Sequence, residues 1–186
     1  MAVVSLTQEQ YKDIIETMQT GGQGFRANPR IAAALQLEAN LGMRIGDILQ
    51  LKLSDIVRDG GRYHLNIVEE KTGKRRSFTV PPEIVIWLHD YADQNGIKKT
   101  ERLFPLTVRA VQKHLSVVCD YLEIEENIST HSFRKFFATS IYRENGNDLV
   151  LVQNLLQHSS PAITRRYIGI SEERMEKALT SHVNLV

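Results

Sequence analysis

Residues 130–167 read THSFRKFFATSIYRENGNDLVLVQNLLQHSSPAITRRY, and this stretch decides the fold. Apolar residues recur along it at helical spacing, which predicts helices over 130–144, 148–157 and 161–167. His131 and Arg134 are three residues apart, so both are expected to project from one face of the first helix. His158 and Tyr167 follow at the ends of the second and third helices.

Helices are also predicted across most of the remaining chain. Thr7 and Gln10 have the spacing of a capping box, and Asn28 before Pro29 is typical of a helix start. Glycines at 21, 22 and 42 are expected to end these first two helices. Further helices are predicted over 45–53, 84–91, 107–121 and 171–179. Arg44 falls at the break before 45–53, where a side chain can face a ligand.

Between residues 56 and 80 the apolar period changes from helical to alternating. Tyr63, Leu65 and Ile67 alternate with His64 and Asn66, and turn residues flank the segment at 59–61 and 72–73. This pattern predicts a three-stranded antiparallel meander with Lys71 at its second turn. The expected fold class is therefore mainly α with a small three-stranded antiparallel β-sheet.

Composition indicates an ordinary globular domain. The chain has 186 residues, of which 24% are charged and 42% hydrophobic, so it is long enough for a substantial core. No run approaches the roughly 18 apolar residues of a membrane span, and no secretory signal pattern is present, so a cytoplasmic protein is expected. Cys119, the single cysteine, cannot form an internal disulfide and is expected to be a small buried hydrophobe.

The net charge of +1 is low for a protein that would bind nucleic acid through phosphate contacts. Basic residues are nevertheless clustered, so a local positive surface can exist on a nearly neutral chain. The residues of these clusters that we expect to contact DNA are Lys74, Arg75, Arg76, Arg165 and Arg166.

Each candidate side chain has a plainer interpretation when it is taken alone. An isolated His-x-x-Arg pair is most often a solvated polar stripe, and an isolated tyrosine is most often a packing residue. His158 alone would be a cation at a helix C-terminus, and Arg44 a surface charge paired with Asp47. Lys71 alone would be a charge at a hairpin tip, where Lys74 is its rival. Together, two guanidiniums, two imidazoles, an ammonium and a phenol suit attack of a tyrosine on a phosphodiester.

Five short motifs occur in a fixed order along the chain. They are Arg44-x-x-Asp47, Lys71-Thr-Gly73, Thr130-His-Ser-Phe-Arg134, Leu155-Leu-Gln-His158-Ser-Ser-Pro161 and Tyr167. Each motif is weak alone, but the ordered set is much more specific, and it resembles the tyrosine recombinase, or phage integrase, family over nearly the whole chain. The resemblance implies site-specific cutting and rejoining of DNA strands through a 3′-phosphotyrosyl intermediate, with no metal, nucleotide or other cofactor.

The resemblance also implies a role for each matching residue. Tyr167 would be the nucleophile, while Arg44 and Arg134 would hold the non-bridging phosphate oxygens. Asp47 would orient the Arg44 guanidinium for a two-pronged grip on phosphate. Lys71 would protonate the departing 5′-oxygen. His131 would handle the tyrosine proton or support the phosphate, and His158 would donate a further hydrogen bond.

Two departures from the family pattern accompany the resemblance. Gln157 precedes His158 where the family usually has glycine, which is expected to alter the loop that presents His158 without inactivating the site. The family's N-terminal core-binding domain is expected to be absent, leaving one catalytic domain over 1–186. Residues 171–186 are expected either to dock on a neighbouring protomer, as in the family, or to be a frayed terminus.

The expected partner is double-stranded DNA. The family resemblance implies that the protein forms dimers or tetramers on DNA. It also implies a DNA-associated protein of bacterial or phage origin. A relaxing topoisomerase that uses the same tyrosine chemistry is one alternative. A catalytically silent DNA-binding module is another. No group that the chemistry needs is missing from the sequence, which favours the enzyme.

Overall fold

A computed structural model of the protein describes residues 3–68, 73, 75–169 and 180–182, with the backbone alone at 76 and 78. Within those ranges the chain forms eight α-helices and one three-stranded sheet. The elements, in chain order, are α1 Gln8–Thr20, α2 Pro29–Leu41, α3 Ile45–Ile48, β1 Ile56–Asp59, β2 Arg62–Val68, β3 Arg75–Val80, α4 Pro82–Gln94, α5 Val108–Tyr121, α6 Thr130–Glu144, α7 Leu149–Leu156 and α8 Pro161–Ile168. The predicted helix over 171–179 lies outside the described residues.

Helices α1 and α2 begin and end where the sequence predicts. The Thr7 hydroxyl accepts a hydrogen bond from the Gln10 N–H at 3.1 Å, and the Gln10 side chain accepts one from the Thr7 N–H at 3.0 Å. Asn28 caps α2 in the same way, with its side-chain oxygen 3.2 Å from the Ile31 nitrogen. Gly42 ends α2 in the left-handed conformation, at φ 57°.

The predicted helix over 45–53 is wrong in length. Helix α3 ends at Ile48, and a 3₁₀ turn follows at Leu53–Asp55. Leu49 and Gln50 form a turn after α3, with the Leu51 N–H donating to the Ile48 carbonyl at 3.1 Å, and the chain becomes extended at Lys52. The helix stops there because the backbone pairs elsewhere: the Leu51 carbonyl accepts from the Leu103 N–H at 2.9 Å, and Lys52 pairs with Arg102.

The sheet is the predicted antiparallel meander, with strand order β1-β2-β3. Leu65 of β2 pairs with Ile56 of β1 and is fully buried, whereas its neighbour Asn66 is exposed. This alternation lays one face of the sheet on the helices and leaves the other open. Strand β2 ends at Val68. The predicted turn with Lys71 lies outside the described residues.

The later helices are capped as predicted by polar residues at their starts. Thr107 accepts from the Ala110 N–H at 3.1 Å, and Asp148 accepts from the Val150 and Leu151 N–H groups, each at 2.9 Å. Helix α4 begins two residues before the predicted 84–91, because Pro82 occupies its first turn, where a missing N–H costs nothing. At its other end it continues to Gln94, with Asn95 as the C-cap.

Two hydrophobic clusters form the core. The larger one contains residues of helices α1 through α6 and of the sheet. It includes Cys119, where burial raises the pKa of the thiol to about 11. The smaller one joins α6 to α7 and α8, and its buried members are Phe137, Ala138, Val152, Leu156 and Ile168. Helix α6 therefore contributes side chains to both clusters. Across the described part of the chain, no helix is long and apolar enough to cross a membrane.

Candidate active site

Arg134 lies at the centre of the candidate site and is almost completely buried, with 2% of its surface exposed. Its guanidinium donates hydrogen bonds to the carbonyl of Gly42, at the end of α2, and to that of Leu156, the last residue of α7, at 3.1 Å. The last carbonyls of a helix carry partial negative charge, so both contacts favour the cation. Burial also excludes the solvated stripe as an account of Arg134. His131, one turn earlier, is exposed.

Tyr167 reaches the same place from α8. Its ring packs against the smaller cluster, and its hydroxyl is buried from solvent. Burial raises the pKa of the phenol above its usual value, while the charges of Arg134 and Arg44 lower it and that of Glu38 raises it. The hydroxyl and the Arg134 guanidinium are neighbours, although no described residue makes a hydrogen bond of ordinary geometry with that hydroxyl. The phenol is thus held beside two cations.

His158 contacts Tyr167 directly. The two rings pack edge to face, with the ring centres 5.1 Å apart and the planes at 71°. Nδ1 of His158 lies 3.1 Å from the hydroxyl of Thr164, which is fully buried. That hydrogen bond fixes the orientation of the imidazole relative to α8.

The departure at Gln157 has a clear structural meaning. Gln157 caps α7 in the left-handed conformation, at φ 53° and ψ 41°, a region that favours glycine. The turn still closes, because the His158 N–H donates to the Gln153 carbonyl at 3.0 Å. The backbone geometry that presents His158 therefore forms with glutamine in place of glycine, with some strain at that residue.

Arg44 stands at the junction between α2 and α3, where the sequence predicts a break. Its positive charge acts on Tyr167, where it lowers the pKa of the phenol. Asp47, three residues later, is buried and borders a groove that also contains Asn66 and Val68 at the end of β2. The groove runs from Asp47 in α3 to the end of β2.

The remaining predicted site residues are less closely assembled or fall outside the described residues. Lys71 and Lys74 lie outside them, as does the side chain of Arg76. Arg75, at the start of β3, is exposed. Arg165 and Arg166 are also exposed, in the last turn of α8 beside Tyr167. The structure therefore brings Arg44, Arg134, His158 and Tyr167 together.

Three residues of this region were not selected from the sequence. Glu38 is buried in α2 and interacts with both Arg134 and Tyr167. It is the single acidic residue in the apolar sequence of that helix, and this feature could have identified it from the sequence. Thr164 orients His158. Lys135 donates to the Val3 carbonyl at 2.6 Å and lies 5.7 Å from the centre of the Tyr167 ring. Nothing in the spacing distinguishes these last two.

Among residues 3–68, 73, 75–169 and 180–182, no group of three His, Cys, Asp or Glu side chains is placed to hold a metal ion.

Comparison with known proteins decides the family. The model of the phage integrase family matches residues 5–174, which is most of the chain. The chain belongs to the phage integrase family. It is a tyrosine recombinase catalytic domain, and its mostly helical fold with a small sheet is the fold of that domain.

Relatives with curated names agree with this assignment. The probable integrase/recombinase YoeC of Bacillus subtilis is 33% identical over 147 residues, which cover 75% of this chain and 77% of that protein. Tyrosine recombinase XerC of Myxococcus xanthus is 30% identical over 82% of this chain and 54% of its own length. Tyrosine recombinase XerD of Lacticaseibacillus casei is 25% identical over 78% of this chain and 52% of its own length. The chain thus spans about half the length of these Xer proteins.

Solved structures share the fold. XerH site-specific recombinase bound to difH substrate, in a pre-cleavage complex, superposes with a TM-score of 0.68 at 24% identity, covering 95% of this chain and 53% of that one. The catalytic domain of bacteriophage HP1 integrase superposes with a TM-score of 0.65 at 19% identity, covering 97% and 96% of the two chains. At these identities the likeness concerns the fold alone.

Proposed function

We propose that this domain cuts and rejoins DNA strands at specific sites, with Tyr167 as the nucleophile. The observation that supports it best is the packing of the Tyr167 hydroxyl beside the buried Arg134 guanidinium, within the field of Arg44. A phosphodiester placed there would meet two fixed cations, which stabilise the negative charge that develops on phosphorus-bound oxygens during attack. The partner of the reaction is double-stranded DNA.

The proposed reaction transfers a phosphoryl group twice. The Tyr167 oxygen forms a bond to phosphorus, the bond from phosphorus to the 5′-oxygen breaks, and a 3′-phosphotyrosyl link remains. The tyrosine proton passes to His131, and Lys71 supplies a proton to the departing 5′-oxygen, which is too basic to leave unprotonated. The 5′-hydroxyl of another strand then attacks the link and releases the tyrosine. The bond energy is kept in the link, so the reaction needs no ATP. The cationic side chains stabilise the developing charge, so it needs no metal ion.

Each cation has a distinct part in this proposal. Arg44 and Arg134 grip the two non-bridging oxygens, since a planar guanidinium can donate two parallel hydrogen bonds. Asp47 keeps Arg44 oriented, and His158 donates a further hydrogen bond to the phosphate. The exposed Arg165 and Arg166 lie next to Tyr167, and Arg75 is exposed at the start of β3. We expect these three arginines, together with Lys74 and Arg76, to contact the DNA backbone.

The names of the relatives favour strand exchange over simple relaxation. The matched proteins are called integrase or recombinase, and one solved relative is a lambda integrase dimer bound to a COC′ core site. We propose by analogy that copies of this chain associate on DNA, with residues 171–186 docking on a neighbouring copy. A cytoplasmic location fits such a substrate.

The test traps the covalent intermediate. The protein is mixed, in EDTA and without ATP, with a pool of nicked suicide duplexes of randomised sequence, and covalent adducts are isolated in SDS and sequenced. Wild-type protein is expected to form an adduct, and Tyr167→Phe none. Tyr142→Phe is the matched control, because Tyr142 packs on the same hydrophobic cluster, and it should retain the adduct.

Two outcomes would contradict the proposal. An adduct formed by Tyr167→Phe would place the nucleophile elsewhere. Salt-sensitive DNA binding by the wild-type protein without any adduct would support the silent DNA-binding module instead.

A further inference from the structure

Glu38 is a buried carboxylic acid that the chemistry described above does not use. It lies in α2 with 1% of its surface exposed, among eight other buried residues of that helix. Its carboxyl group accepts a hydrogen bond from the N–H of Ile45, the residue after Arg44. Its second oxygen, Oε2, is also buried, and no described residue hydrogen bonds to it. A buried carboxyl with an unsatisfied oxygen is costly, so it calls for an explanation.

The position of Glu38 connects it to the candidate site through the backbone. Its carbonyl accepts the Gly42 N–H at 2.9 Å, one helical turn later, and the Gly42 carbonyl in turn accepts from the Arg134 guanidinium. The Ile45 contact ties the carboxyl to the start of α3. Glu38 thus lies at the helix junction that carries Arg44 and supports Arg134.

The charged and titratable groups around Glu38 come from three directions. Arg134 faces it from α6, Tyr167 from α8, and the Arg44 junction adjoins its hydrogen-bonded oxygen, with the buried Asp47 one turn further in α3. Helix α1 also packs on α2, but the residues it buries are apolar: Ile14, Ile15 and Met18. The electrostatic neighbours of Glu38 are therefore the groups of the candidate site themselves.

The two charge states of Glu38 have opposite effects on that site. Burial raises the pKa of the carboxyl well above its usual value, and Arg134 only partly opposes this. A neutral Glu38 leaves the positive charge of Arg134 available to a phosphate. An ionised Glu38 offsets that charge and raises the pKa of Tyr167, which disfavours the phenolate.

We propose that Glu38 is a positioning residue whose protonation controls the site: the neutral acid permits phosphate binding and attack by Tyr167, and the carboxylate suppresses both. The proposal rests on the function proposed for Tyr167 and Arg134. A phosphodiester is an anion, so its arrival beside Arg134 favours the protonated acid further. By linkage, DNA binding takes up a proton at Glu38 whenever the free protein holds it ionised.

The first experiment measures Tyr167 without any DNA. Tyrosinate absorbance is followed as a function of pH in wild-type protein and in Glu38→Gln, with Tyr167→Phe in each background to isolate the Tyr167 signal. Glutamine keeps the shape and an oxygen for the Ile45 N–H but cannot ionise. The Tyr167 midpoint is expected to move down in Glu38→Gln, by on the order of one pH unit. It should return towards the wild-type value in Glu38→Asp, and Glu83→Gln, an exposed acid in α4, should not move it.

The second experiment measures the rate of adduct formation on a captured suicide duplex, from about pH 6 to about pH 9.5. The wild-type rate is expected to fall on the alkaline side as Glu38 ionises, and the Glu38→Gln rate to remain at least tenfold higher there. A Glu38→Gln profile that keeps the wild-type alkaline fall would overturn the proposal, as would a uniform loss at every pH, which marks a structural role.

Failure of this inference can be separated from failure of the proposed function. If Tyr167→Phe abolishes the adduct but Glu38→Gln has the wild-type pH profile, Glu38 alone is misassigned. If Glu38→Gln does not fold, calorimetry of wild-type DNA binding in two buffers of different ionisation enthalpy is the remaining test. The proposal is supported if wild-type protein takes up a proton on binding DNA above neutral pH and Glu38→Asp abolishes this uptake or shifts its pH range. It is overturned if the wild-type protein takes up no proton.

Discussion

At the scale of single residues, Arg134 combines two tasks. It is buried like a core residue and joins the ends of α2 and α7 through their carbonyls, yet it is also the cation nearest the Tyr167 hydroxyl. Lysine could not reproduce this arrangement, because an ammonium lacks the planar fork of donors that reaches two separated carbonyls. Substitution of Arg134 is therefore expected to impair stability and catalysis together.

Gln157 offers a prediction about strain at one residue. Gln157→Gly relieves the left-handed conformation, so it is expected to raise the free energy of unfolding by about 0.5 to 1 kcal/mol, measured by urea denaturation. Asn154→Gly is the matched control within the same helix, and it should lower the free energy of unfolding by about 0.3 kcal/mol, the difference in helix propensity between asparagine and glycine. A Gln157→Gly variant less stable than wild type would mean that the glutamine side chain contributes contacts that outweigh the strain.

Residue types and spacing predicted that Arg134, His158 and Tyr167 would lie together, but not how deeply each would be buried. The pairing of His131 with Arg134 follows from helical spacing, yet one is exposed and the other buried. That difference depends on where α2 and α7 end, and hence on the tertiary structure. Glu38 was missed for the same reason, since its neighbours come from helices α6 and α8, far along the chain.

At the scale of elements, the close approach of α2 and α6 is made possible by Gly42. A Cβ added at Gly42 would lie 2.3 Å from the Phe137 ring, and the φ of 57° disfavours any other residue. The site needs this approach, because the Gly42 carbonyl contacts Arg134.

Gly42→Ala is therefore expected to be strongly destabilising. The strained backbone and the clash with the ring should together lower the free energy of unfolding by about 2 to 4 kcal/mol. Gly96→Ala is the control for backbone strain alone, since it has a φ of 64° with no described atom within 4 Å of the added Cβ, and about 1 kcal/mol is expected. Equal losses in thermal or urea unfolding of the two variants would contradict the role of close packing.

Helices with a local capping residue were predicted well, whereas the segment 45–53 was not. Thr7, Asn28 and Asp148 each mark a helix start by a local hydrogen bond, so the sequence alone suffices there. The segment 45–53 has no such local determinant at its end. Its backbone pairs with residues about fifty positions later in the chain, and a helical pattern cannot anticipate that competition.

At the scale of the whole molecule, the site is divided between a large core and a small one. Glu38 lies in α2 and Arg44 directly precedes α3, and both helices pack in the large cluster. His158 lies between α7 and α8, and Tyr167 lies in α8, and these two helices pack in the small cluster. A segment that buries little apolar surface opens more readily than one in the main core. Since the Tyr167 hydroxyl is buried, such opening gives phosphate access to it.

Hydrogen exchange tests this division. Backbone amides of α7 and α8 are expected to exchange at least tenfold faster than those of α2, because local opening of the small cluster does not require the large core to unfold. Bound DNA should slow α7 and α8 selectively. Equal exchange in all three helices would indicate one cooperative unit and contradict the expected opening.

The contact of Lys135 with Val3 has a practical consequence. The ammonium that donates to the Val3 carbonyl also lies over the Tyr167 ring, so Val3 is one side chain away from the tyrosine. A purification tag or a preceding domain joined near Val3 that displaces Lys135 would alter the packing of the tyrosine ring. Comparisons of enzymatic rates among variants should therefore keep the amino-terminal fusion identical.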